Sequence, residues 1–256
     1  MGCSESIKVN KTYCEILIAK EVSYLKFEGI KAIDFDRLTH RNSYNLLMSN
    51  TQFLFVCKQF SISINDPNVN SFFMNFYSKS NFYYSVRELS ALGILLGSGR
   101  IKEKINLLFE NYDLDSSKSL TKKEILVMLE DICKISFQYL PNFAIKSINS
   151  SESEHIVFYQ SELKSIKFSL IHYYHDLLFE DLSDEITKDQ FCKKFESKEI
   201  LYLLSPESLR IYSKEILLNI QNAVKAVKIY IEHPEMLSSS IMTKLSAQSS
   251  KHEYIS

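Results

Sequence analysis

The chain has 256 residues and a formal net charge of −1, with 45% hydrophobic residues, 17 phenylalanines and 15 tyrosines but only 5 glycines and 4 prolines. The near-neutral charge without a basic stripe argues against a nucleic-acid partner, and no run approaches the roughly eighteen apolar residues of a transmembrane helix. Scattered cysteines without metal or disulfide spacing fit a reducing cytosol, and the scarcity of glycine and proline favours an all-α protein with an aromatic core.

The N-terminus, Met1-Gly2-Cys3-Ser4-Glu5-Ser6, matches the pattern for N-myristoylation at Gly2. Cys3 beside it is a candidate for palmitoylation. A single acyl chain holds a membrane only marginally, whereas two give stable anchoring. We therefore interpret residues 1–11 as an acylated segment of a cytoplasmic, membrane-associated protein. The alternative is an ordinary polar N-terminus that begins with Gly-Cys.

Residues 12–98 are predicted to form a first lobe of degenerate helix–loop–helix units. An apolar face extends over Tyr13–Leu25 and ends at a turn. Ile33–Leu38 is interpreted as the remnant of a first loop end. Aligning a second loop on Tyr77–Glu88 places Tyr84 at its apolar position eight. Tyrosine, lysine and asparagine occupy the ligand positions of this second loop, so we expect it to keep its shape without binding a cation.

The stretch Asp113–Glu124 has the pattern of a calcium loop of the EF-hand type. Calcium is a hard cation that takes about six to eight oxygen ligands, and the loop supplies them at alternating positions. The expected ligands, at loop positions one, three, five, seven, nine and twelve, are Asp113, Asp115, Ser117, Ser119 through its backbone carbonyl, Thr121 and Glu124.

Amphipathic helices are predicted on both sides of this loop, over Ile101–Tyr112 and Ile125–Ile132, in a second lobe of residues 99–200. Position six, where glycine usually makes a sharp turn, is Lys118. A left-handed lysine costs about 1–2 kcal/mol. With a lysine beside only three carboxylates, we expect one weak calcium site with a dissociation constant of about 10⁻⁵ M or weaker.

The second lobe is predicted to carry an insertion near residues 136–160. Ser147–Ser153 is rich in serine and asparagine and is predicted to be a surface loop. A fourth, decayed loop is aligned on Phe179–Gln190, which lacks carboxylates at both ends. Its Ile186 is expected to pair with Leu120 of the calcium loop.

The C-terminal region begins with Ser205-Pro206, an N-cap followed by proline at the first helical position. An apolar stripe predicts an amphipathic helix over residues 205–233, and residues 234–256 are predicted to be a disordered tail. The helix Pro206–Glu232 has two interpretations. It either lies in an apolar groove of the protein until a partner displaces it, or belongs permanently to the core.

Around the calcium loop lie the stretches Glu88-Leu-Ser-Ala-Leu, Glu103-Lys104, Phe109-Glu-Asn-Tyr-Asp113-Leu-Asp115 and Lys123-Glu124. Together they resemble the neuronal calcium sensor, calcineurin-B-like and calaxin group of EF-hand proteins, over about residues 85–135. The resemblance implies EF-hand helix–loop–helix pairs in two lobes, often an N-terminal myristoyl group, and binding of a helical segment of a target protein. The chain departs from that group because only one loop keeps its ligands.

Two functions follow from these patterns. The first is a membrane-anchored adaptor that binds an amphipathic helix of a target protein, with one weak Ca²⁺ site as regulator. The second is a structural protein of a cytoskeletal or ciliary assembly that uses the fold without calcium. No nucleophile elbow, phosphate loop or acid–base pair is visible, so we expect no enzyme activity. His172, His175 and Asp176 have a spacing that could face one zinc ion, although such residues more often form a solvated helix face.

Overall fold

The computed structural model describes the backbone of residues 3–148, 150–180, 184–213 and 215–216, and their side chains from residue 13 onward except at residue 150. The protein is mostly helical, at 74%, with a small share of strand, which confirms the all-α class in its coarse form. One compact unit extends from Met1 to Lys214 and a second comprises Glu215–Ser256. Within the described residues, no helix combines the length and the apolar character needed to cross a membrane.

In the described part of the chain, the helices and short strands form four helix–loop–helix units. The first two units follow α1 (Cys3–Ser23) and a 3-10 turn (Phe27–Gly29), and contain α2 (Ala32–Arg41), β1 (Leu47–Met48), α3 (Asn50–Gln59), α4 (Pro67–Phe73), a 3-10 turn (Met74–Phe76), β2 (Tyr77–Ser78), β3 (Tyr83–Ser85) and α5 (Val86–Leu96). The third contains α6 (Ile101–Tyr112), β4 (Ser119–Thr121) and α7 (Lys122–Lys134). A π-helix (Ile135–Tyr139) and α8 (Leu140–Ser147) precede the fourth unit, which contains α9 (Ser150–Phe179), β5 (Glu185–Thr187) and α10 (Lys188–Lys194). The chain continues through α11 (Lys198–Leu201), a 3-10 turn (Tyr202–Leu204) and a helix over residues 206–213, called α12.

Each helix that leaves a loop starts from a hydroxyl side chain. Ser49, Ser85, Thr121 and Thr187 are the N-caps, and each accepts a hydrogen bond from the backbone N–H three residues later. In three of these four caps, a Glu or Gln side chain at that later position bonds back to the cap and completes a capping box. Such a cap stabilises a helix by about 0.5–2 kcal/mol. The same N-cap therefore fixes where the loop ends and the helix begins in all four of these units.

The short strands join the loops in pairs. β1 pairs antiparallel with β3 and places Met48 opposite Tyr84. β4 pairs antiparallel with β5 and places Leu120 opposite Ile186. The predicted pairing of Leu120 with Ile186 is therefore confirmed. All four side chains are buried, so each strand pair closes the core beneath two loops.

The first loop lies later in the chain than predicted. The prediction that Ile33–Leu38 is the remnant of a loop end is wrong, because these residues belong to α2. Its apolar spacing reflects a helix face that buries Phe35. The loop instead ends at β1, where Met48 lies as far before Tyr84 as Tyr84 lies before Leu120. This regular spacing was the sequence signal for the first loop.

The insertion between the third and fourth units is helical. The surface loop predicted at Ser147–Ser153 is wrong, because α8 extends to Ser147 and α9 begins at Ser150. The serine and glutamate residues there form the first turn of a 30-residue helix, where acidic side chains suit the helix dipole. Further along α9, the buried face carries Ile156, Leu163 and Leu170.

The predicted helix start at Ser205-Pro206 is confirmed. Ser205 Oγ accepts a hydrogen bond from Ser208 N at 3.2 Å. Leu209 and Ser213 of α12 are fully buried. The remainder of the predicted helix and the predicted tail of residues 234–256 lie outside the described residues.

Candidate metal centre

The loop between α6 and α7 is held by apolar packing at its base. Phe109 and Tyr112, near the end of α6, are both 1% exposed. The Phe109 ring lies 5.4 Å from the ring of Phe191 in α10, which ties the third unit to the fourth. The N–H of Asp113 bonds to the carbonyl of Phe109 at 3.0 Å, so the first residue of the loop is fixed by the end of α6.

The first four predicted ligand residues come together around Ser117, through both its hydroxyl group and its backbone N–H. Ser117 Oγ lies 3.3 Å from Asp113 Oδ1 and 2.9 Å from the backbone oxygen of Ser119. Asp115 Oδ1 accepts a hydrogen bond from Ser117 N at 3.0 Å. Asp113 Oδ2 accepts one from Lys118 N at 3.1 Å. The oxygens at positions one, three, five and seven therefore belong to one hydrogen-bonded cluster.

Position six of the loop adopts the left-handed conformation that usually favours glycine. Lys118 has a φ of 66°, and Ser116 two residues earlier has a φ of 57°. The left-handed lysine predicted from the sequence is therefore confirmed. Its strain, about 1–2 kcal/mol, is tolerated in a turn that the bond from Lys118 N to Asp113 closes.

The last two predicted ligand residues are paired with each other. Glu124 Oε2 accepts hydrogen bonds from both the backbone N and the Oγ1 of Thr121, each at 2.8 Å. This capping box directs the Glu124 carboxylate to the start of α7. Within the described residues, no group of three His, Cys, Asp or Glu side chains converges as a metal site. The oxygen donors fit calcium in type and order, while the observed conformation gathers only the first four positions.

One lysine beside the loop Asp113–Glu124 forms an ion pair with the fourth loop. Lys122 Nζ lies 2.9 Å from Asp184 Oδ1 on the fourth loop. This hydrogen bond and the lysine charge lower the pKa of Asp184. Hydrogen bonds from Ser117 lower the pKa of Asp115. Asp115 is therefore a carboxylate at neutral pH, which is the form that binds a cation.

The second loop, Tyr77–Glu88, closes differently from the loop Asp113–Glu124. Its first strand, β2, pairs with its own β3, so that Tyr77 lies opposite Tyr84. The ring of Tyr84 stacks on Phe53 at a centroid distance of 4.0 Å. This loop is thus a small hairpin that supplies the strand partner of β1.

A buried carboxylate behind the loop Asp113–Glu124 was not recognised in the sequence. Asp131 of α7 is 1% exposed. Its Oδ2 lies 3.0 Å from Arg87 Nε of α5 and accepts a hydrogen bond from Tyr112 Oη at 3.2 Å, while Lys134 Nζ lies 3.3 Å from Oδ1. Burial, together with the Asp131 charge, holds the pKa of Tyr112 well above its ordinary value. This cluster fixes α6 and α7, the two helices of the third unit, to α5 in the first half of the chain.

A second buried network was also missed, because its members are far apart in the sequence. Glu15 of α1 and Arg210 of α12 are 3% and 2% exposed. The Arg210 guanidinium donates to the Glu15 carboxylate at 2.6 Å from Nη2 and 2.8 Å from Nε. Tyr159 Oη donates to Glu15 at 2.6 Å, and Arg210 Nη1 donates to the Ser136 carbonyl at 3.1 Å. The network joins α1, the π-helix, α9 and α12.

The two predicted acylation residues lie at the N-terminal limit of the described residues. Gly2 lies outside the described residues, and Cys3 is the first residue of α1. Further along α1, Cys14 and Ile18 are buried. The helix that begins at the acylation pattern is therefore anchored in the core by its second half.

Sequence comparison gives no family assignment. No protein-family model matches the chain, and no curated protein is similar to it. A functional assignment therefore depends on the geometry of residues 113–124 and on the packing around them.

Proposed function

We propose that the protein is an EF-hand calcium-sensor-like adaptor with one weak calcium site at Asp113–Glu124. The observation that supports this most is the clustering of Asp113, Asp115 and Ser117 with the backbone oxygen of Ser119. Helix–loop–helix units joined in pairs by short strands are the arrangement expected of EF-hand lobes. Thr121 and Glu124 would complete the ligand set, with the Glu124 carboxylate turned from the helix cap into the loop. Bound calcium would supply the positive charge that favours this turn.

Calcium titration by calorimetry, at physiological magnesium, tests the site. We expect one binding event with a dissociation constant of about 10⁻⁵ M or weaker, and Glu124→Gln should abolish it. Glutamine preserves the helix cap, because Gln52 and Gln190 occupy the same capping position in two other loops. Glu130→Gln, at an exposed position of the same helix, is the matched control. A second strong site, or tight binding by Glu124→Gln, would contradict the assignment.

The adaptor is proposed to attach to a membrane through myristate on Gly2 and palmitate on Cys3, and to hold an amphipathic helix of a target protein. The Gly2-Cys3 pattern supports this, because it stands at the start of a chain whose first helix, α1, is buried in the core at Cys14 and Ile18. Gly2→Ala should move the protein from the membrane to the soluble fraction, and Cys3→Ser should leave weak, reversible attachment. Ser4→Ala is the control. An unmodified N-terminus in the intact mass of the native protein would contradict the anchor.

A calcium-independent structural protein of a cytoskeletal or ciliary assembly is the second candidate. It is favoured by the Glu124 carboxylate, which serves the helix cap in the observed conformation. The same titration separates the two functions. The structural candidate predicts no heat of calcium binding in the unsubstituted protein.

A further inference from the structure

The segment Ile135–Ser147, here called the inserted segment, packs against the first half of the chain although it follows the calcium unit. It consists of the π-helix and α8. The ring of Phe143 lies 5.4 Å from that of Phe72 in α4, in an edge-to-face arrangement. The ring of Tyr139 lies 5.2 Å from that of Phe76. The segment thus leaves the third unit and reaches the aromatic side chains of the second.

These contacts continue an aromatic chain into the first two units. Phe72 contacts Phe73 at 5.3 Å, and Phe73 contacts Phe53 at 5.2 Å. Phe53 in turn stacks on Tyr84 at 4.0 Å, beneath the β1–β3 pair. Edge-to-face and offset aromatic pairs contribute about 0.5–1.5 kcal/mol each beyond their area burial. The inserted segment therefore completes the aromatic core of the paired first and second units.

The inserted segment has the side-chain spacing of a helix bound in a groove. Leu140, Phe143 and Ala144 lie at i, i+3 and i+4 and are 0–3% exposed. Apolar anchors at this spacing are the means by which amphipathic helices occupy apolar grooves. At the rim, Lys146 Nζ donates to Ser71 Oγ at 2.8 Å. With apolar anchors and a polar contact at the edge, the inserted segment is packed as a peptide ligand is packed on its receptor.

The backbone of the inserted segment is held by side chains from other helices. The π-helix changes the hydrogen-bond ladder locally, a feature that is frequent at functional sites. The Ser136 carbonyl accepts a hydrogen bond from Arg210, and the Gln138 carbonyl accepts one from Gln160 Nε2, both at 3.1 Å. These bonds tie the segment to α12 and α9, and α8 itself packs against α1 and α9 as well as against α4.

We propose that the inserted segment is a built-in helical ligand of the lobe formed by the first and second units. The segment occupies the apolar face that a partner helix would use and closes that lobe to binding in trans. A partner helix that competes for this face carries an aliphatic, an aromatic and a small side chain in the positions of Leu140, Phe143 and Ala144. The inference rests on the proposed adaptor function in one respect, namely that the apolar face of this lobe would otherwise bind a helix of a target protein.

A labelled peptide of residues 135–147 tests the proposal on the full-length protein. Phe143→Ala removes the main anchor of the built-in copy, and Phe168→Ala, at a residue that is 73% exposed, is the matched control. We expect the peptide to bind Phe143→Ala at least about tenfold more tightly than the unsubstituted protein or the control, as for loss of an aromatic anchor. Equal binding by all three, while Phe143→Ala keeps its helical circular dichroism, would overturn the proposal.

Hydrogen exchange of the unsubstituted protein decides the question even if Phe143→Ala fails to fold. A ligand-like segment opens without unfolding its receptor, so amides of α8 should exchange at least about tenfold faster than those of α5 and α7. Equal exchange rates in all three helices would show that α8 is an integral part of one cooperative core, and would overturn the proposal. Both measurements are made without calcium. Loss of the calcium site would therefore leave them unchanged, which separates this inference from the proposed function.

Discussion

At position six of the proposed calcium loop, Lys118 combines backbone strain with a positive charge, and two substitutions can separate these effects. The left-handed φ of 66° carries backbone strain, which lowers the stability of the fold. The side-chain charge is expected to act on binding by repelling a cation, because Lys118 lies in the same turn as Asp113, to which its backbone N–H donates. The sequence predicted both features from a single departure from glycine.

Lys118→Gly should therefore raise the free energy of unfolding and tighten calcium binding. Relief of about 1–2 kcal/mol of strain, less about 0.5–1 kcal/mol for glycine entropy, leaves a net gain of about 0–1.5 kcal/mol. Lys118→Met is the control, since it removes the charge and keeps the strain. Urea unfolding and calorimetry should show tighter binding in both variants but greater stability only in the glycine variant. Greater stability in the methionine variant would contradict the assignment of the stability effect to backbone strain.

A histidine in α2 is expected to make the stability of the fold depend on pH above about 6.5, the ordinary pKa of histidine. His40 Nδ1 lies 3.3 Å from Asp36 Oδ1, and the hydrogen bond to Asp36 raises the pKa of His40 above its ordinary value. Asp36 also accepts a hydrogen bond from the buried Ser90 of α5, so the ion pair lies at the contact of α2 with α5.

Because the folded-state pKa of His40 is raised, its contribution to stability is fully present below the unfolded pKa and is lost as the pH rises through the folded value. At a pH below 6.5, the ordinary pKa of histidine, His40→Gln should therefore lower the urea concentration at the unfolding midpoint. At pH 9 it should have little effect. His155→Gln, an exposed histidine of α9, is the control. An equal loss of stability at both pH values would show that the effect is packing and not charge.

Among the elements, those set by local patterns were predicted and those set by distant contacts were not. The helices beside Asp113–Glu124 and the pairing of Leu120 with Ile186 follow from apolar spacing and loop length alone. The serine-rich start of α9 predicts a loop, because its polarity is apparent in the sequence and its tertiary partners are not. The Glu15–Arg210 pair joins residues 195 apart, and no local pattern indicates such a contact.

The buried pair between α1 and α12 makes a sharp prediction about stability. Glu15→Gln leaves the Arg210 charge buried without its partner and should cost about 3–5 kcal/mol in the free energy of unfolding. The double variant Glu15→Met with Arg210→Met should recover most of that loss, because apolar replacements of buried pairs are often neutral. Glu28→Gln, at an exposed position, is the control. Urea denaturation of the four proteins measures these differences, and a loss of less than about 1 kcal/mol in Glu15→Gln would contradict the burial of the pair.

At the scale of the whole molecule, the ends of the compact unit are locked together. Leu209, Arg210 and Ser213 of α12 are buried, and Arg210 bonds to α1 and to the π-helix. Displacing α12 would leave Glu15 buried without its cation. For residues 206–213, these contacts favour the core interpretation over a helix that a partner displaces.

Truncation after Leu204 should therefore unfold or aggregate the protein, since it removes Arg210 and Leu209 together. A chain ending at Ile216 keeps these contacts and serves as the control. Thermal unfolding and size-exclusion chromatography compare the two. If the chain ending at Leu204 stays folded and binds a partner peptide more tightly, α12 is a displaceable helix and the core interpretation fails.

The central claim, one calcium site at Asp113–Glu124, is tested most directly by ¹H–¹⁵N spectra recorded as calcium is added. We expect saturable shifts with one ion, largest at residues 113–124 and including the Lys118 amide that donates to Asp113. Smaller shifts should reach Glu185–Thr187 across the strand pair, and residues 77–88 should not move. Shifts centred on residues 77–88, or no shifts at millimolar calcium, would contradict the site.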